Sequence, residues 1–244
     1  MEHPAPLTAE QIDELCQFDS PTVANALELL DPGWDRVSGL MAPHIRAIFP
    51  DLKPVAGYAC TVLYETRFPA RAGWYADWPD YWRYVLSLPA PRIAVCQNTS
   101  PRLGEGSLWG EVQANIHRAL GCAGAVVEGS VRDLDGMRGV NFPCFAREVV
   151  AGHGYAHLVE FGQPVEVGGV LVKSGDLIYA DKHGVLALPA EHAPRLADRC
   201  RQVIAVERPL IAVCQDRAGF SVEKLAAAFE RFSQEYPVDK PASI

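Results

Sequence analysis

Gly121-Cys122-Ala123-Gly124-Ala125-Val126-Val127-Glu128-Gly129-Ser130-Val131-Arg132-Asp133 is the stretch from which the fold can be read. Its small and β-branched residues predict a buried strand over 124–128, entered from a Gly-x-x-Gly turn and left through a polar loop. Ligands of α/β sheets collect at that carboxyl end. Upstream, Leu108-Trp109-Gly110-Glu111-Val112 falls in a helix expected over 107–120. Downstream come a short helix over 133–138 and a strand over 143–146. With a further strand at 92–96, strands and helices alternate, which is the rhythm of an α/β fold.

Toward the C-terminus, short glycine-punctuated strands are expected near 165–167, 170–173, 176–180 and 184–188. Helices follow from Ala190 to about Val206 and from Val222 to Phe232. Toward the N-terminus, Val55 to Leu63 reads as a buried strand. Thr8-Ala9-Glu10-Gln11 has the form of a capping box, with Ile12, Leu15 and Cys16 on one apolar face. Asp19-Ser20-Pro21 offers a cap and a first-turn proline for a second helix, which Asp31-Pro32-Gly33 closes. Between these regions, Trp74, Trp78, Trp82 and Leu86 recur every four residues, with Tyr81 and Val85 beside them and Pro79 starting or kinking the helix. Such a stripe packs on a core or subunit interface, or it walls a substrate. No repeat or low-complexity linker divides the chain. The expected organisation is one domain over 1–244, with a helical arm at about 8–31, a core at about 55–188 and C-terminal helices at about 190–234.

Composition narrows the function. With 49% hydrophobic residues the chain has material for a large core. A formal net charge of −8 argues against nucleic-acid binding, which draws its affinity from Lys and Arg on phosphates. An anionic small substrate stays compatible, because one local arginine or ion outweighs a diffuse acidic surface at short range. No apolar run approaches the roughly 20 residues of a membrane span, so no membrane partner is expected. The first residues lack the pattern of a secretory leader, which makes a cytoplasmic location the default expectation. Seven scattered cysteines without a C-x-x-C pair are expected to be reduced and mostly buried.

The candidate chemistry lies at Arg132-Asp133, an anion clamp beside a hard oxygen ligand, with Gly129 letting the backbone approach a ligand. Adjacent Arg and Asp also form functionless surface ion pairs, and the residues alone leave both readings open. His153 and His157 have metal-ligand spacing only on a helix, and Gly152 and Gly154 favour a loop. His183 reads as a turn residue. Ser130 lacks the Gly-x-Ser-x-Gly elbow of a serine hydrolase.

The pattern Gly-x-x-Gly-x-Val-x-x-Gly-x-Val-Arg-Asp ending at Asp133 is followed by Phe142-Pro143-Cys144-Phe145-Ala146. A second block runs Gly175-Asp176-Leu177-Ile178-Tyr179-Ala180-Asp181-Lys182-His183-Gly184-Val185. Together they resemble the RraA-like / 4-hydroxy-4-methyl-2-oxoglutarate aldolase family, over roughly residues 10 to 207. The resemblance implies a three-layered, swivelling-domain-like α/β fold with helical arms, assembled as a homotrimer or homohexamer with sites between subunits. It assigns the metal-binding carboxylate to Asp133 and the substrate-carboxylate arginine to Arg132. The substrate-binding loop falls on Gly110, Glu111, Val112 and Gln113, with Gly110 standing 22 positions before Arg132 and Glu111 holding a water. An acidic residue contributed by a neighbouring subunit falls on or near Glu207, where a solvated helix charge is the alternative.

The resemblance further implies a lyase that cleaves a 4-hydroxy-2-oxo acid to pyruvate, or decarboxylates oxaloacetate, through an enolate stabilised by Mg²⁺ or Mn²⁺. Two departures stand out: the aromatic segment replaces a stretch with a substrate-contacting asparagine, and Gln113 replaces a leucine. The rival is a non-catalytic regulator, like the branch of the family that binds an RNA-degrading enzyme and lacks the aspartate after the arginine. A methyltransferase reading finds no glycine-rich nucleotide loop.

Overall fold

The computed structural model describes residues 5–73 and 75–236. Its strands are β1 (Arg46–Ala47), β2 (Val55–Glu65), β3 (Arg92–Asn98), β4 (Cys122–Val131), β5 (Cys144–Val149), β6 (His157–Phe161), β7 (Val165–Val167), β8 (Val170–Val172), β9 (Leu177–Asp181) and β10 (Gly184–Leu188). Its helices are α1 (Ala9–Leu15), α2 (Ser20–Leu30), α3 (Trp78–Ser87), α4 (Glu111–Ala119), α5 (Leu134–Gly139), α6 (Ala193–Gln215) and α7 (Val222–Glu235). One sheet runs β1-β5-β4-β3-β2-β9-β10, with β6 paired to β2. The neighbours β2, β3, β4 and β5 are parallel, and the outer pairings are antiparallel. The chain ahead of β1 then meets β10, through Met41 N–H to Val185 O (3.1 Å) and Ala187 N–H to Gly39 O (2.9 Å). The sheet is therefore a nearly closed barrel.

Side-chain alternation along the strands divides the apolar residues among three clusters. Ala59, Ile93, Val95, Val126, Phe145, Ile178, Ala180 and Val185 point into the barrel. On its outer surface, Ala56, Tyr58, Tyr179 and Leu186 pack beneath α1, α2 and α6. Cys60, Val62, Ala94, Ala125 and Val127 pack beneath α3, α4 and α5. The long strand β2 serves all three clusters, its first half facing one helix layer and its second half the other.

The hairpin of β7 and β8 fills the barrel's interior with Val165, Val167 and Val172. Inward polar side chains pin it: Gln97 Oε1 accepts the Glu166 N–H (2.9 Å), and Glu128 Oε2 accepts the Gly168 N–H (2.7 Å). Burial alone would push the Glu128 carboxyl up. Donation from Gly168, His44 and Arg147 outweighs it and holds the group below the usual carboxylate range.

The expected N-terminal helices form as their caps predict, with the Thr8–Gln11 capping box and the Asp19 cap both present. Two short strands, β1 and β6, were not anticipated. The helix expected to end near Val206 continues through Pro209 to Gln215. Proline there removes a single donor, and the surrounding turn is largely exposed, so the freed carbonyl meets water. In the aromatic segment, α3 begins only at Trp78, and Trp74 lies outside the described residues. The inward line passes through Tyr81 and Val85, with Trp78 and Trp82 partly buried beside them, while Leu86 is 55% exposed. A strict four-residue spacing drifts by about 40° per step around a helix of 3.6 residues per turn, which carries Leu86 off the buried face. Tyr81, 1% exposed, packs on the core rather than walling a substrate.

The second sequence block has a structural explanation. Asp181 is buried at the turn between β9 and β10 and accepts from Ser20 N–H (2.8 Å), Ser20 Oγ (2.7 Å) and His183 N–H (2.8 Å). It thereby ties the start of α2 to the barrel. Asp181→Ala leaves the two buried donors of Ser20 without an acceptor. It should lower unfolding free energy by about 2–4 kcal/mol, read from the urea midpoint at unchanged slope.

Candidate active site

The loop ahead of α4 lies along the end of β4 as if it were another strand. Trp109 bridges in parallel to Val131, and the Arg132 N–H donates to Trp109 O (2.9 Å). The Ser107 hydroxyl reinforces the seam, accepting from the Trp109 N–H (3.0 Å) and lying 2.6 Å from the Ser130 carbonyl oxygen. Trp109 is fully buried, stacked near Phe142 and tilted against His117. Backbone pairing plus this indole anchor brings the first turn of α4 beside Arg132 and Asp133.

Gly110 is the N-cap of α4, and no side chain caps the helix. The first internal bond runs from Ala114 N–H to Gly110 O (3.0 Å). The N–H groups of Glu111, Val112 and Gln113 therefore remain available at the positive end of the helix dipole, a setting that favours an anion. Gly110 has an extended backbone, and a Cβ there would displace the end of the Asp133 carboxylate at Oδ2. Asp133 itself is left-handed (φ 54°, ψ 47°) at the N-cap of α5, yet its carboxylate makes no cap hydrogen bond. It turns toward Gly110 instead.

Arg132 Nη2 stands 3.7 Å from Asp133 Oδ2, with the two side chains 32% and 37% exposed. An ion pair that exposed and long contributes little to stability, and it leaves most of the guanidinium fork available. Glu111 is exposed, and its side chain lies across Gly136 of α5. Val112 is 67% exposed on the same turn, and Gln113 is partly buried. Arg132, Asp133, Glu111, Gly110, Val112 and Gln113 thus come together at one surface. Glu207 does not join them within the chain. It sits on α6 against α2, accepting from Asn25 Nδ2 (3.3 Å) in the other helix layer.

One expectation is corrected and a second, the non-helical course of the chain around His153 and His157, is met. The space above Gly129 is filled by the Tyr64 hydroxyl, so this glycine serves a buried packing contact rather than the approach of a ligand. The His153–His157 segment is loop and strand, and each imidazole Nδ1 bonds a nearby carbonyl, of Gly154 (2.6 Å) and Tyr155 (2.8 Å). The two rings therefore do not share a helix face. Among the described residues, no cluster of three or more His, Cys, Asp or Glu is arranged to hold a metal ion. A cleft of about 780 Å³, lined by Trp34, Tyr58, Lys173 and Glu191, lies by the N-terminal part of β2 and contains none of the residues around Asp133.

Sequence reasoning also missed a support behind α4. His117 is buried, its Nδ1–H donating to Gln113 O (2.8 Å) while its Nε2 accepts from the Tyr81 hydroxyl (2.8 Å). The carbonyl acceptor determines the tautomer. The only local trace of this arrangement is the four-residue spacing from Gln113 to His117.

The pattern of the family described as RraA-like, Aldolase/RraA, matches residues 20–187. The chain belongs to this family. A putative 4-hydroxy-4-methyl-2-oxoglutarate aldolase of Halalkalibacterium halodurans is 35% identical over 84 residues, which is 34% of this chain and 40% of that relative. Among solved structures, an uncharacterized protein from Pseudomonas syringae pv. tomato superposes with a TM-score of 0.71 at 25% identity, covering 93% of this chain and 97% of the other. RraAS2 of Streptomyces coelicolor, described as an unusual member of the RNase ES inhibitor RraA protein family, gives a TM-score of 0.61. It is 24% identical and covers 84% of this chain and 96% of that one, a likeness of fold. The RraA-like architecture and the family's inclusion of aldolases both agree with the resemblance seen in the sequence. No helix among the described residues is long and apolar enough to cross a membrane.

Burial pushes the His117 pKa down from 6.5 to about 4. Between those values the unfolded chain holds a proton that the folded chain refuses. Acidification through this window therefore costs stability, by about 1.4 kcal/mol per pH unit at most. Urea melts of wild type and His117→Phe between pH 7 and pH 4.5 should differ in slope by close to one proton. Parallel pH profiles would show that the imidazole is not held neutral.

Proposed function

We propose that this protein is a divalent-metal-dependent lyase that cleaves a 4-hydroxy-2-oxo acid to pyruvate, or decarboxylates oxaloacetate by the same enolate chemistry. The observation that supports this reading is the convergence of Asp133, Glu111 and Arg132 on the uncapped N-terminus of α4. The donor set fits Mg²⁺ or Mn²⁺. Its two exposed carboxylates are hard oxygen donors, and an ion that keeps several waters needs no cage of three protein ligands. Asp133 would hold the ion directly and Glu111 through water. When bound, the ion supplies Lewis-acid stabilisation of the charge that develops on the C2 oxygen.

The chain's own residues do the rest. Arg132 grips the substrate's C1 carboxylate, whose two oxygens match the planar fork. The N–H groups of Glu111, Val112 and Gln113 receive a further anionic oxygen. Glu111, acting through a water, takes the proton of the C4 hydroxyl as the C3–C4 bond breaks. The bonding pair stays with C3 as the enolate of pyruvate, and a proton returned to C3 completes the product. With oxaloacetate, the same C3–C4 cleavage releases carbon dioxide.

The open position of these residues on one chain favours completion of the site by a neighbour in a homotrimer or homohexamer, with Glu207 of an adjoining copy as the added acid. The rival reading, a regulator that binds an RNA-processing enzyme, leaves the paired carboxylates without a task. Purified protein incubated with Mg²⁺ or Mn²⁺, oxaloacetate and a panel of 4-hydroxy-2-oxo acids should release pyruvate, and silence against every substrate would return the rival.

Activity should disappear in excess chelator. Asp133→Asn, which keeps the left-handed backbone, should lose about a hundredfold or more in kcat with a melting temperature within about 2 °C of wild type. Arg132→Lys should lower kcat/KM by about tenfold or more, because an ammonium cannot make the two-point contact. Sedimentation at assay concentration should find a trimer or hexamer. An active monomer would end the shared-site proposal.

A further inference from the structure

The first turn of α4 crosses α5 at a point where α5 has no side chain. A methyl group on Gly136 would stand 2.5 Å from Glu111 Oε2, 2.6 Å from its Cδ and 2.8 Å from its Cβ. The last contact is the most restrictive, since a carboxylate can swing aside while a Cβ moves only with its helix. The backbone does not require glycine here: Gly136 lies within α5 and is not among the residues of positive φ. In a helix interior glycine is ordinarily less favourable than alanine. Its presence is therefore explained by what lies above it. The contact is reciprocal with the one at Gly110, where the absent side chain makes room for Asp133. Each carboxylate occupies the space that a glycine of the opposite helix leaves open.

We propose that Gly136 is a positioning residue: its missing side chain seats Glu111 against α5, three residues on from Asp133, and sets the separation of the two carboxylates. Its catalytic consequence rests on the proposed roles of Glu111 and Asp133, whereas the seating itself does not. Gly136→Ala pushes Glu111 away while leaving Arg132 untouched. It should lower kcat for pyruvate release about tenfold or more, with the KM for oxaloacetate within about threefold of wild type.

The discriminating measurement is thermal and needs no turnover. In wild type the new methyl collides, and Gly136→Ala should lower the melting temperature. In a Glu111→Gly background no Glu111 side chain remains above it, and the same substitution should raise the melting temperature by about 2 °C through helix propensity. Inversion of sign between the two backgrounds supports the seating, even if wild type releases no pyruvate from any substrate; that silence would sink the proposed reaction alone. Shifts of equal sign and size in both backgrounds would overturn the seating. An active enzyme whose kcat is unmoved by Gly136→Ala would overturn its catalytic consequence.

Discussion

The pairing of Trp109 with Val131 is the constraint on which the site depends. A loop that crosses the end of a sheet is normally free to wander, since its polar backbone can be satisfied by water. Here the Arg132 N–H and the Ser107 hydroxyl spend their hydrogen bonds on the seam, and the buried indole of Trp109 prevents it from opening. Once the seam is closed, the start of α4 has one place to be, and the start of α5 follows directly from β4. Two helix N-termini and their side chains thus face one another as a consequence of backbone pairing rather than of any attraction between Arg132 and Asp133.

The barrel supplies the rigidity behind that seam. Parallel β2 to β5 carry a short-side-chain outer face, Cys60, Ala94, Cys96, Ala125, Cys144 and Ala146, on which α3, α4 and α5 lie close. Small residues there permit close approach, while bulk comes from Tyr64 at the end of β2 and, in the helices and loops, from Tyr81, Trp109, Met137 and Phe142. His117 and Tyr81 extend this packing to the back of α4, so the helix is held from behind by a neutral imidazole and in front by the glycine contacts. Inside the barrel, polar pins at Gln97 and Glu128 stop the β7–β8 hairpin from sliding. Specific directional bonds are placed where apolar packing alone would allow slippage.

Much of this was legible in the chain because the informative signals are local. The run 124–128 reads as a strand without further help, and Thr8, Gln11 and Asp19 mark helix starts through capping chemistry that involves only a few neighbouring residues. The polar end of β4 follows from the same run, and so does the candidate pair Arg132 and Asp133. What stayed hidden is tertiary. Two-residue β1 is too short to show a pattern, and β6 exists because the edge of β2 is there to receive it. The buried face of α3 turns on the difference between 3.6 and 4 residues per turn. Nothing near Gly129 in sequence announces Tyr64, and nothing near Gly136 announces Glu111, because both contacts cross between elements distant in the chain.

The left-handed backbone of Asp133 carries a consequence for how this position can drift. Aspartate, asparagine and glycine enter that region at modest cost, whereas longer or branched side chains enter it rarely. Glutamate has the same charge and a longer reach, so by chemistry alone it is the nearest substitute. The backbone disfavours it before reach or charge is consulted. A conformational filter therefore stands ahead of any functional one, and the acid beside Arg132 is held to the shorter of the two natural carboxylates by the shape of the main chain.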